Sequence, residues 1–449
     1  MRNATLVSIV FVLFTGDVLS QAPREGPQPL SLSLKRAIEV ALTPEGNPQI
    51  QLAEQGIKLA QARADQARAA LMPDFEGSVN VQNLTRNLAS IGFPVQQNVI
   101  NGLHIPDFVG PYSLYDARIN LSQNLVDLSL RQRLRASRGA IGVATAEEQS
   151  TKDQVAGQVA KLYLWAVRTN AMVDTAKANV ALAETLLKSA EDKRTAGVAL
   201  AIETTRAQVQ LANTRQQLLV AEDERVRTHL NLLKALNLDL GTPLDLTDGL
   251  TSQTFAIPTF EQAMADAAVS RSDYRAQEQR EANARMTYHA SELERLPSIH
   301  GIADYGSTGT QLSRILPTRT VGISVNVPVF DGGRRKARLA ESTVTIRQEE
   351  IRSRDLHNEI ELGVRLALNR LQSAEMQIRT AQEGMKLAEE ELAHALRRYE
   401  SGVTTSPETT DAQNRVERAR DNYTDALFNY NAAHVDLLVA TGKINDLVR

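Results

Sequence analysis

The residues whose types and spacing could do chemistry are acidic, and they follow a glycine-marked turn late in the chain. Glu408 and Asp411 stand three positions apart, so on a helix their carboxylates share one face. Acid–base catalysis would need such a pair in a dry cleft, whereas these two lie on a long, exposed-looking helix. They also suit the first turn of a helix, where the helix dipole favours negative charge.

Other catalytic and binding patterns are missing from the sequence. The seven histidines form no metal-binding pair of the HExxH kind, and the chain has no cysteine. Gly442-Lys443 is followed by Ile444, which breaks the phosphate-loop pattern. Lys and Arg (50) nearly balance Asp and Glu (53), unlike the strong basic excess of nucleic-acid binders. We therefore expect no enzyme, no cofactor, no metal site and no nucleic-acid partner.

The chain repeats its own sequence once. Three short segments recur 205 positions later: Gly197-Val198, Glu203-Thr204-Thr205 and Ala207-Gln208 return as Gly402-Val403, Glu408-Thr409-Thr410 and Ala412-Gln413. Each half reads as a first helix ended by a proline, two short alternating segments, a very long helix, a glycine-marked turn and a long return helix. We expect the first helices at roughly Leu34 to Ala70 and Phe260 to Leu293. The predicted repeats are residues 21–249 and 250–449.

The long helices carry heptad seams. Apolar or small residues follow one another at steps of three and four in Leu371, Ala374, Ile378, Ala381, Met385, Ala388, Leu392, Ala395 and Tyr399. The same register occurs from Ala166 to Ala190, and the return helix repeats it from Ala412 to Ala440. Seams of this length predict left-handed coiled coils. A helix from about Leu128 to Arg194 would be on the order of 100 Å long at 1.5 Å per residue.

Four short segments alternate between apolar and polar residues, as half-buried or membrane strands do. They are Asp74 to Leu84, Tyr115 to Ser122, Ser298 to Tyr305 and Thr320 to Phe330. In the last segment the predicted lipid-facing residues are Val321, Ile323, Val325, Val327 and Val329. Four strands cannot close a barrel, and unpaired edges are not tolerated in lipid. Three copies of four strands would give twelve; the alternative is soluble hairpins that cap a structural coiled coil.

The first 20 residues read as a secretory signal peptide. Arg2 supplies a positive start, and the apolar run from Ala4 to Phe14 is too short to cross a bilayer as a helix. Val18 and Ser20 suit a cleavage point ahead of Gln21. The rest of the chain is therefore expected to leave the cytoplasm.

Several motifs taken together resemble the TolC family of outer-membrane efflux proteins. They include Leu34 to Ile38 at the start of the first helix, Leu71-Met72-Pro73 and Leu296-Pro297-Ser298 before a strand, and the strand-to-helix signature from Val327 to Arg334. Arg398-Tyr399 and Ala440-Thr441-Gly442 also fit. The resemblance covers nearly all of the predicted mature chain.

The resemblance implies a fold that is mainly α with a small β part. A long antiparallel coiled-coil helical barrel would continue into a transmembrane β-barrel of 12 strands, shared by a homotrimer with four strands per protomer. It implies a passive channel in the outer membrane of a Gram-negative bacterium, with outer-membrane lipid around the strands. It also implies a periplasmic adaptor and an inner-membrane pump as partners. The alternative function is a periplasmic structural coiled coil without a pore.

The resemblance also implies site residues at the two helical turns. Adaptor contact is expected at Ala196, Gly197, Val198, Ser401, Gly402 and Val403, although a helix-ending glycine alone would explain much of this pattern. The gate residues are expected to be Glu203, Tyr399, Thr404, Glu408 and Asp411. Threefold symmetry would bring Glu408 and Asp411 of each copy around one axis, where carboxylates attract cations.

Overall fold

A computed structural model gives the fold of the chain. It describes residues 29–88, 90, 99–100, 103–104, 108–197, 200–252, 255–401, 403 and 406–448. The predicted signal peptide, residues 1–20, lies outside the described residues.

The described residues form eight strands and eight α-helices. The strands are β1 (Leu30–Leu32), β2 (Asp74–Asn87), β3 (Val99–Ile100), β4 (Leu103–His104), β5 (Phe108–Val126), β6 (Leu244–Leu246), β7 (Ser298–Gly309) and β8 (Leu316–Asn326). The helices are α1 (Leu34–Leu42), α2 (Pro48–Ala69), α3 (Leu128–Thr195), α4 (Ala201–Ala235), α5 (Phe260–Ser270), α6 (Ser272–Leu293), α7 (Arg334–Glu400) and α8 (Ser406–Ala440). Within the described ranges, no helix combines the length and apolar character needed to cross a membrane.

Two helical hairpins dominate the molecule: α3 with α4, and α7 with α8. Their helices have 68 and 35 residues in the first hairpin and 67 and 35 in the second. The predicted heptad positions are buried or half-buried along both seams, with Val173 and Leu371 fully enclosed. The coiled-coil prediction is therefore confirmed. The small residues that alternate with large ones along each seam let the helices approach closely.

The first helix of each half is broken, which corrects the expectation of single helices over Leu34 to Ala70 and Phe260 to Leu293. In the first half, Asn47 caps a new helix by accepting a hydrogen bond from the backbone N–H of Gln49 (2.8 Å), and Pro48 takes the first helical position. In the second half, Arg271 has an extended backbone conformation and separates α5 from α6. The breaks let α2 and α6 turn onto the long helices.

A compact core joins the two hairpins near mid-length. The strands β1 and β6 pair in parallel there, although they lie far apart in sequence. The hydroxyl of Tyr163, on α3, donates to the carbonyl of Leu32 (2.9 Å) and accepts from the N–H of Asp248 (3.2 Å). Tyr163 is fully buried with Ile38, Leu232 and other apolar residues. Tyr163 thereby ties segments near the beginning (Leu32) and the end (Asp248) of the first repeat to the long helix α3.

The duplication seen in the sequence is repeated in the contacts. Asp127 caps α3 by accepting from the N–H of Leu130 (2.9 Å), and its counterpart Asp331 accepts from the N–H of Arg335 (3.0 Å) at the start of α7. Between the two helices of each hairpin, an ion pair occurs at equivalent positions: Arg215–Glu184 (2.8 Å) in the first hairpin and Arg420–Glu389 (3.1 Å) in the second. The two hairpins are therefore two copies of one structural unit.

Four strands form an antiparallel sheet in the order β2-β5-β7-β8. The predicted strands are present with shifted ends. In particular, β8 begins at Leu316 and stops at Asn326, so Val327 and Val329 follow the strand and lie outside it. Pro328 has no N–H to continue the ladder, which explains the early end.

The register puts apolar side chains of all four strands on one face of this sheet. Residues directly opposite each other in the register share a face, and this face carries Phe75, Val79, Val81, Ala117, Ile119, Leu121, Ile299, Ala303, Tyr305, Val321, Ile323 and Val325. Most of the large members are exposed in the single chain: Val321 is 81% and Ile323 74% exposed, whereas Leu121 and Ile299 are half-buried. The opposite face is mostly polar and includes a row of Glu76, Asn120, Asp304 and Thr320.

The apolar face generates a first prediction. Val325→Asp puts a carboxylate on this face, and a charge that must enter lipid is costly, so we expect the amount of protein in the outer-membrane fraction to fall severalfold. Ser324→Asp, on the opposite face one residue away, is the matched control and should insert normally. Quantitative immunoblotting of separated membranes measures both. Equal insertion of the two variants would contradict lipid contact of this face.

Candidate functional site

The ends of the two hairpins lie side by side. The Nζ of Lys193, on α3, donates to the backbone carbonyl of Tyr399 (2.6 Å) and lies 3.4 Å from the centre of its ring. On the other side of the turns, the amide of Gln210 donates to Asn414 (3.2 Å). Residues that the duplication separates by about 205 positions in sequence therefore meet at one end of the molecule, which we call the hairpin tip.

The predicted adaptor-contact residues lie at the surface of this tip. Ala196 and Gly197 are exposed, and Gly197 has φ +78°, a left-handed conformation that glycine adopts without strain. Ser401 caps α7 by donating its hydroxyl to the carbonyl of Arg397 (2.9 Å), and Val403 is 70% exposed. Val198, Gly402 and Thr404 lie outside the described residues.

The two predicted gate carboxylates each contact an arginine. Glu408 pairs with Arg398 of α7 (2.6 Å), and Asp411 pairs with Arg415 one turn along α8 (2.7 Å). Arg415 also contacts Glu391 (2.9 Å). Sequence reasoning did not pair either arginine with these carboxylates, although the four-residue spacing of Asp411 and Arg415 is a known helix signal. The tip therefore carries charges of both signs.

Glu203 and Tyr399, the other two described gate residues, lie close to each other. Tyr399 is only 5% exposed at the end of the α7 seam. Burial raises the pKa of its hydroxyl, and the negative charge of Glu203 raises it further. The hydroxyl therefore stays protonated and able to donate a hydrogen bond at the tip.

A second group of carboxylates lies on α8, where this helix packs along the first hairpin. Glu417, Asp421 and Asp425 follow at four-residue steps and share a face. Asp425 accepts a hydrogen bond from the Nε of Arg168, on α3 (2.7 Å). Sequence reasoning did not single out this seam, and the regular spacing of the three acids was the available signal.

Burial changes the ionisation of this seam. It raises the pKa of Glu417, as does the charge of Asp421, against a hydrogen bond from Gln217 and the charge of Arg418, which lower it. Burial also raises the pKa of Asp421, helped by the charge of Asp425 and opposed by that of Arg168. The contact between α8 and the first hairpin is thus polar, and its stability depends on the protonation of Glu417 and Asp421.

The sheet carries its own charge cluster on the polar face. The guanidinium of Arg118 donates to Asp116 (2.8 Å) and approaches Asp304 on the neighbouring strand (3.5 Å). Gly306 lies directly opposite Arg118 in the register, and a side chain there would collide with it. Among the described residues, no group of three or more His, Asp or Glu could hold a metal ion.

Comparison with known families gives a match over most of the chain. The family model described as "Outer membrane efflux protein" matches residues 41–238 and 263–443. The two matched segments correspond to the two halves that the duplication defines.

Individual proteins show the same similarity at low sequence identity. The outer membrane efflux protein BepC of Brucella suis biovar 1 (strain 1330) is 22% identical over 96% of this chain and 89% of its own. The pyoverdine export outer membrane protein OpmQ of Pseudomonas putida is 23% identical over 86% of this chain and 81% of its own. The crystal structure of the CmeC outer membrane channel of Campylobacter jejuni superposes with a TM-score of 0.78 at 17% identity, covering 91% of this chain and 85% of that one. The fold is therefore shared with solved channels.

The α8 seam generates a second prediction. Because the pKa values of Glu417 and Asp421 are raised in the folded chain, the stability that their protonation provides is present at low pH and is lost as the pH rises through these values. We expect the melting temperature of detergent-purified protein to fall less between about pH 4, near the ordinary pKa values of these groups, and about pH 8 in Glu417→Gln with Asp421→Asn than in wild type.

The control for this measurement uses carboxylates outside the seam. Glu184→Gln with Glu389→Gln removes two exposed ion-pair partners and should leave the pH dependence as in wild type. A fall of equal size in the seam variant and wild type would show that these two groups do not titrate as inferred.

Proposed function

We propose, from the premise that this chain belongs to the outer membrane efflux protein family, that three copies of it join into one export duct. Channels of this family form trimers, and the chain is an efflux channel protein of the outer membrane of a Gram-negative bacterium. In the proposed homotrimer the sheets form a 12-stranded barrel and the helical hairpins form a tunnel below it.

The observation that carries this proposal is the four-stranded sheet with one exposed apolar face and two edges that no other described strand pairs with. Neighbouring strands alternate in direction, so the edge strands β2 and β8 run in opposite senses. Strand β8 of one copy can therefore pair with β2 of the next in the same antiparallel pattern. Repetition around an axis closes the ring and satisfies the backbone groups at every edge.

Family membership also decides between the functions considered from the sequence. The family is one of efflux channels, which favours the duct over a structural coiled coil without a pore and confirms that the chain is not an enzyme. The division into repeats at residues 21–249 and 250–449, with a signal peptide before them, remains part of our proposal.

We propose that the hairpin tip is the entrance of the tunnel. Three copies would place Glu203, Tyr399, Thr404, Glu408 and Asp411 around the axis, where side chains of both signs surround the path of the cargo. The pairs Arg398–Glu408 and Arg415–Asp411 support an entrance whose charge is balanced locally. Such an entrance selects ions through the difference between its acidic and basic groups.

The proposed partners are a periplasmic adaptor and an inner-membrane pump, with the adaptor bound at the tip. Exposed apolar side chains support this contact: besides Val403, Leu200 is 73% exposed at the start of α4. Ala196, Gly197 and Ser401 are also exposed at the tip. Interfaces between proteins commonly use such apolar side chains surrounded by polar ones.

The trimer is tested by the native mass of the protein extracted in mild detergent from isolated outer membranes. We expect three times the mass of the mature protomer after correction for bound detergent, because only a closed ring pairs all strand edges. A soluble monomer or dimer in the periplasmic fraction would overturn the duct.

The gate is tested by ion selectivity in planar bilayers. Glu408→Gln with Asp411→Asn removes two negative charges per copy and leaves Arg398 and Arg415 without these partners. We expect the reversal potential in a salt gradient to shift away from cation preference. Glu184→Gln with Glu389→Gln, whose carboxylates pair with Arg215 and Arg420, is the charge-matched control. If both variants keep the wild-type reversal potential, Glu408 and Asp411 do not line the entrance.

A further inference from the structure

Both long helices begin with a cluster of basic side chains, directly after the strands of the sheet. Residues 127–138 and 331–338 together contain eight Arg or Lys and only two Asp, although acids slightly outnumber bases in the whole chain. The helix dipole disfavours positive charge at a first turn. Helices α4, α5, α6 and α8 each have an acidic residue there, whereas α3 and α7 have none. Helix stability therefore does not explain the basic cluster.

The carboxylates at this junction of strands and helices already have cationic partners. Asp331 pairs with the Nε of Arg335 (2.9 Å). Glu294, at the end of α6, contacts both Arg133 of α3 and Arg338 of α7, the latter at 2.6 Å. One carboxylate thus joins the starts of the two long helices, and two arginines share it. The junction keeps a positive excess after these pairs are counted.

Several cations of the cluster have no such partner. Arg131, Arg334 and Lys336 are exposed and form no ion pair with another described residue. The Nη1 of Arg335 is buried and has no hydrogen-bond acceptor among the described residues. A buried donor on a charged group is costly without an acceptor, and an anion at this position would remove that cost.

A cavity of about 440 Å³ lies at the same junction. It is lined by residues 127–130 at the start of α3, residues 293–294 at the end of α6, and residues 327–331 between β8 and α7. Arg334 and Arg335 line it as well. The two arginines therefore border a space that an external anion can enter.

Exposed apolar side chains lie next to these cations. Val329 is 90% and Phe330 88% exposed, and Val327 is also exposed. This segment follows β8 directly and so continues from Val325 on the apolar face of the sheet. Apolar side chains beside Arg and Lys match a phospholipid better than a soluble anion, because a phospholipid joins a phosphate to acyl chains.

We propose that this junction binds an anionic phospholipid of the periplasmic leaflet, with the phosphate at Arg334 and Arg335 and the acyl chains against Val329 and Phe330. This inference rests on the proposed duct, which places the junction at the periplasmic edge of the barrel. Guanidinium groups bind phosphate oxygens through two parallel hydrogen bonds. Clusters of Lys and Arg beside a membrane-crossing segment attract anionic lipids. The headgroup would supply the acceptor that the described chain does not give to Arg335.

The duplication extends this surface to the first repeat. Arg131 corresponds to Arg335, 204 positions on, as Asp127 corresponds to Asp331. Leu128, beside Arg131, is an exposed apolar residue at the start of α3. In the proposed trimer the positive surface would occur three times and form a ring around the periplasmic edge of the barrel.

Lipid preference is measured by native mass spectrometry of the detergent-purified protein. Either phosphatidylglycerol, which is anionic, or phosphatidylcholine with the same acyl chains is added, and the retained lipids per trimer are counted. Arg334→Gln with Lys336→Gln removes two exposed cations of the junction. The matched control is Arg354→Gln with Lys386→Gln, which removes one exposed Arg and one exposed Lys further along α7, neither of them paired with a described residue.

We expect wild type and the control variant to retain severalfold more phosphatidylglycerol than phosphatidylcholine. In Arg334→Gln with Lys336→Gln, retention of phosphatidylglycerol should fall severalfold, to about the level of phosphatidylcholine. Millimolar inorganic phosphate should leave the lipid in place, because phosphate has no acyl chains to contact the apolar segment.

A second variant tests the apolar half of the site should the charge variant fail to assemble. Val329→Ser with Phe330→Ser changes two side chains that are almost fully exposed, so the fold should be unaffected. We expect this variant to retain less of both lipids than wild type. Unchanged retention of both lipids would contradict the contact with acyl chains.

The lipid site is overturned if trimeric wild type retains the two lipids equally, or if the charge variant and its control lose phosphatidylglycerol to the same extent. Displacement of the lipid by inorganic phosphate would also overturn it, in favour of a site for soluble anions. Each of these results would leave the proposed duct intact. Loss of the trimeric mass in wild type would instead overturn the proposed function itself.

Discussion

Backbone hydrogen bonding at the edges of the four-stranded sheet is the constraint on which the rest of the molecule depends. Strands β2 and β8 lie at the two edges of the sheet, and among the described residues no further strand pairs with the outer backbone N–H and C=O groups of either. In contact with lipid these groups have no water to bind, so they need another strand. Because β2 and β8 run in opposite directions, β8 of one copy can pair with β2 of the next in the same antiparallel pattern. The apolar faces of all the sheets would then lie on the same side of the assembly. Assembly is thus built into the sheet of each chain.

The helical part is held together by side-chain packing along the hairpins. Long helices with small residues at alternate seam positions pack into hairpins without a large globular core. The duplication makes each hairpin a structural unit that offers one groove and one return helix. Inside the chain, α8 uses the groove of the first hairpin through charged contacts such as Arg168–Asp425.

The charge at the hairpin tip cannot be read from its acidic residues alone. Glu408 and Asp411 are acids on one helix face, and the proposed entrance would expose several copies of them. Arg398 and Arg415 lie against them in the structure, so the field at the entrance depends on the sum of both signs. The half-buried Glu417 and Asp421 of α8, away from the tip, have raised pKa values. Burial between helices is the largest cause of both shifts.

The sequence by itself determined the periodic features of this protein. Heptad spacing gave the coiled coils, alternation gave four strands, and the internal repeat gave two equivalent units, because each of these is a local pattern with a fixed geometric period. It did not give the break of the first helices at Asn47 and Arg271, nor the end of β8 before Val327. Only the tertiary structure decided which side chains meet across helices. Arg168 and Asp425 are 257 positions apart, and their contact depends on how the coiled coils are rotated and staggered, which no local period specifies.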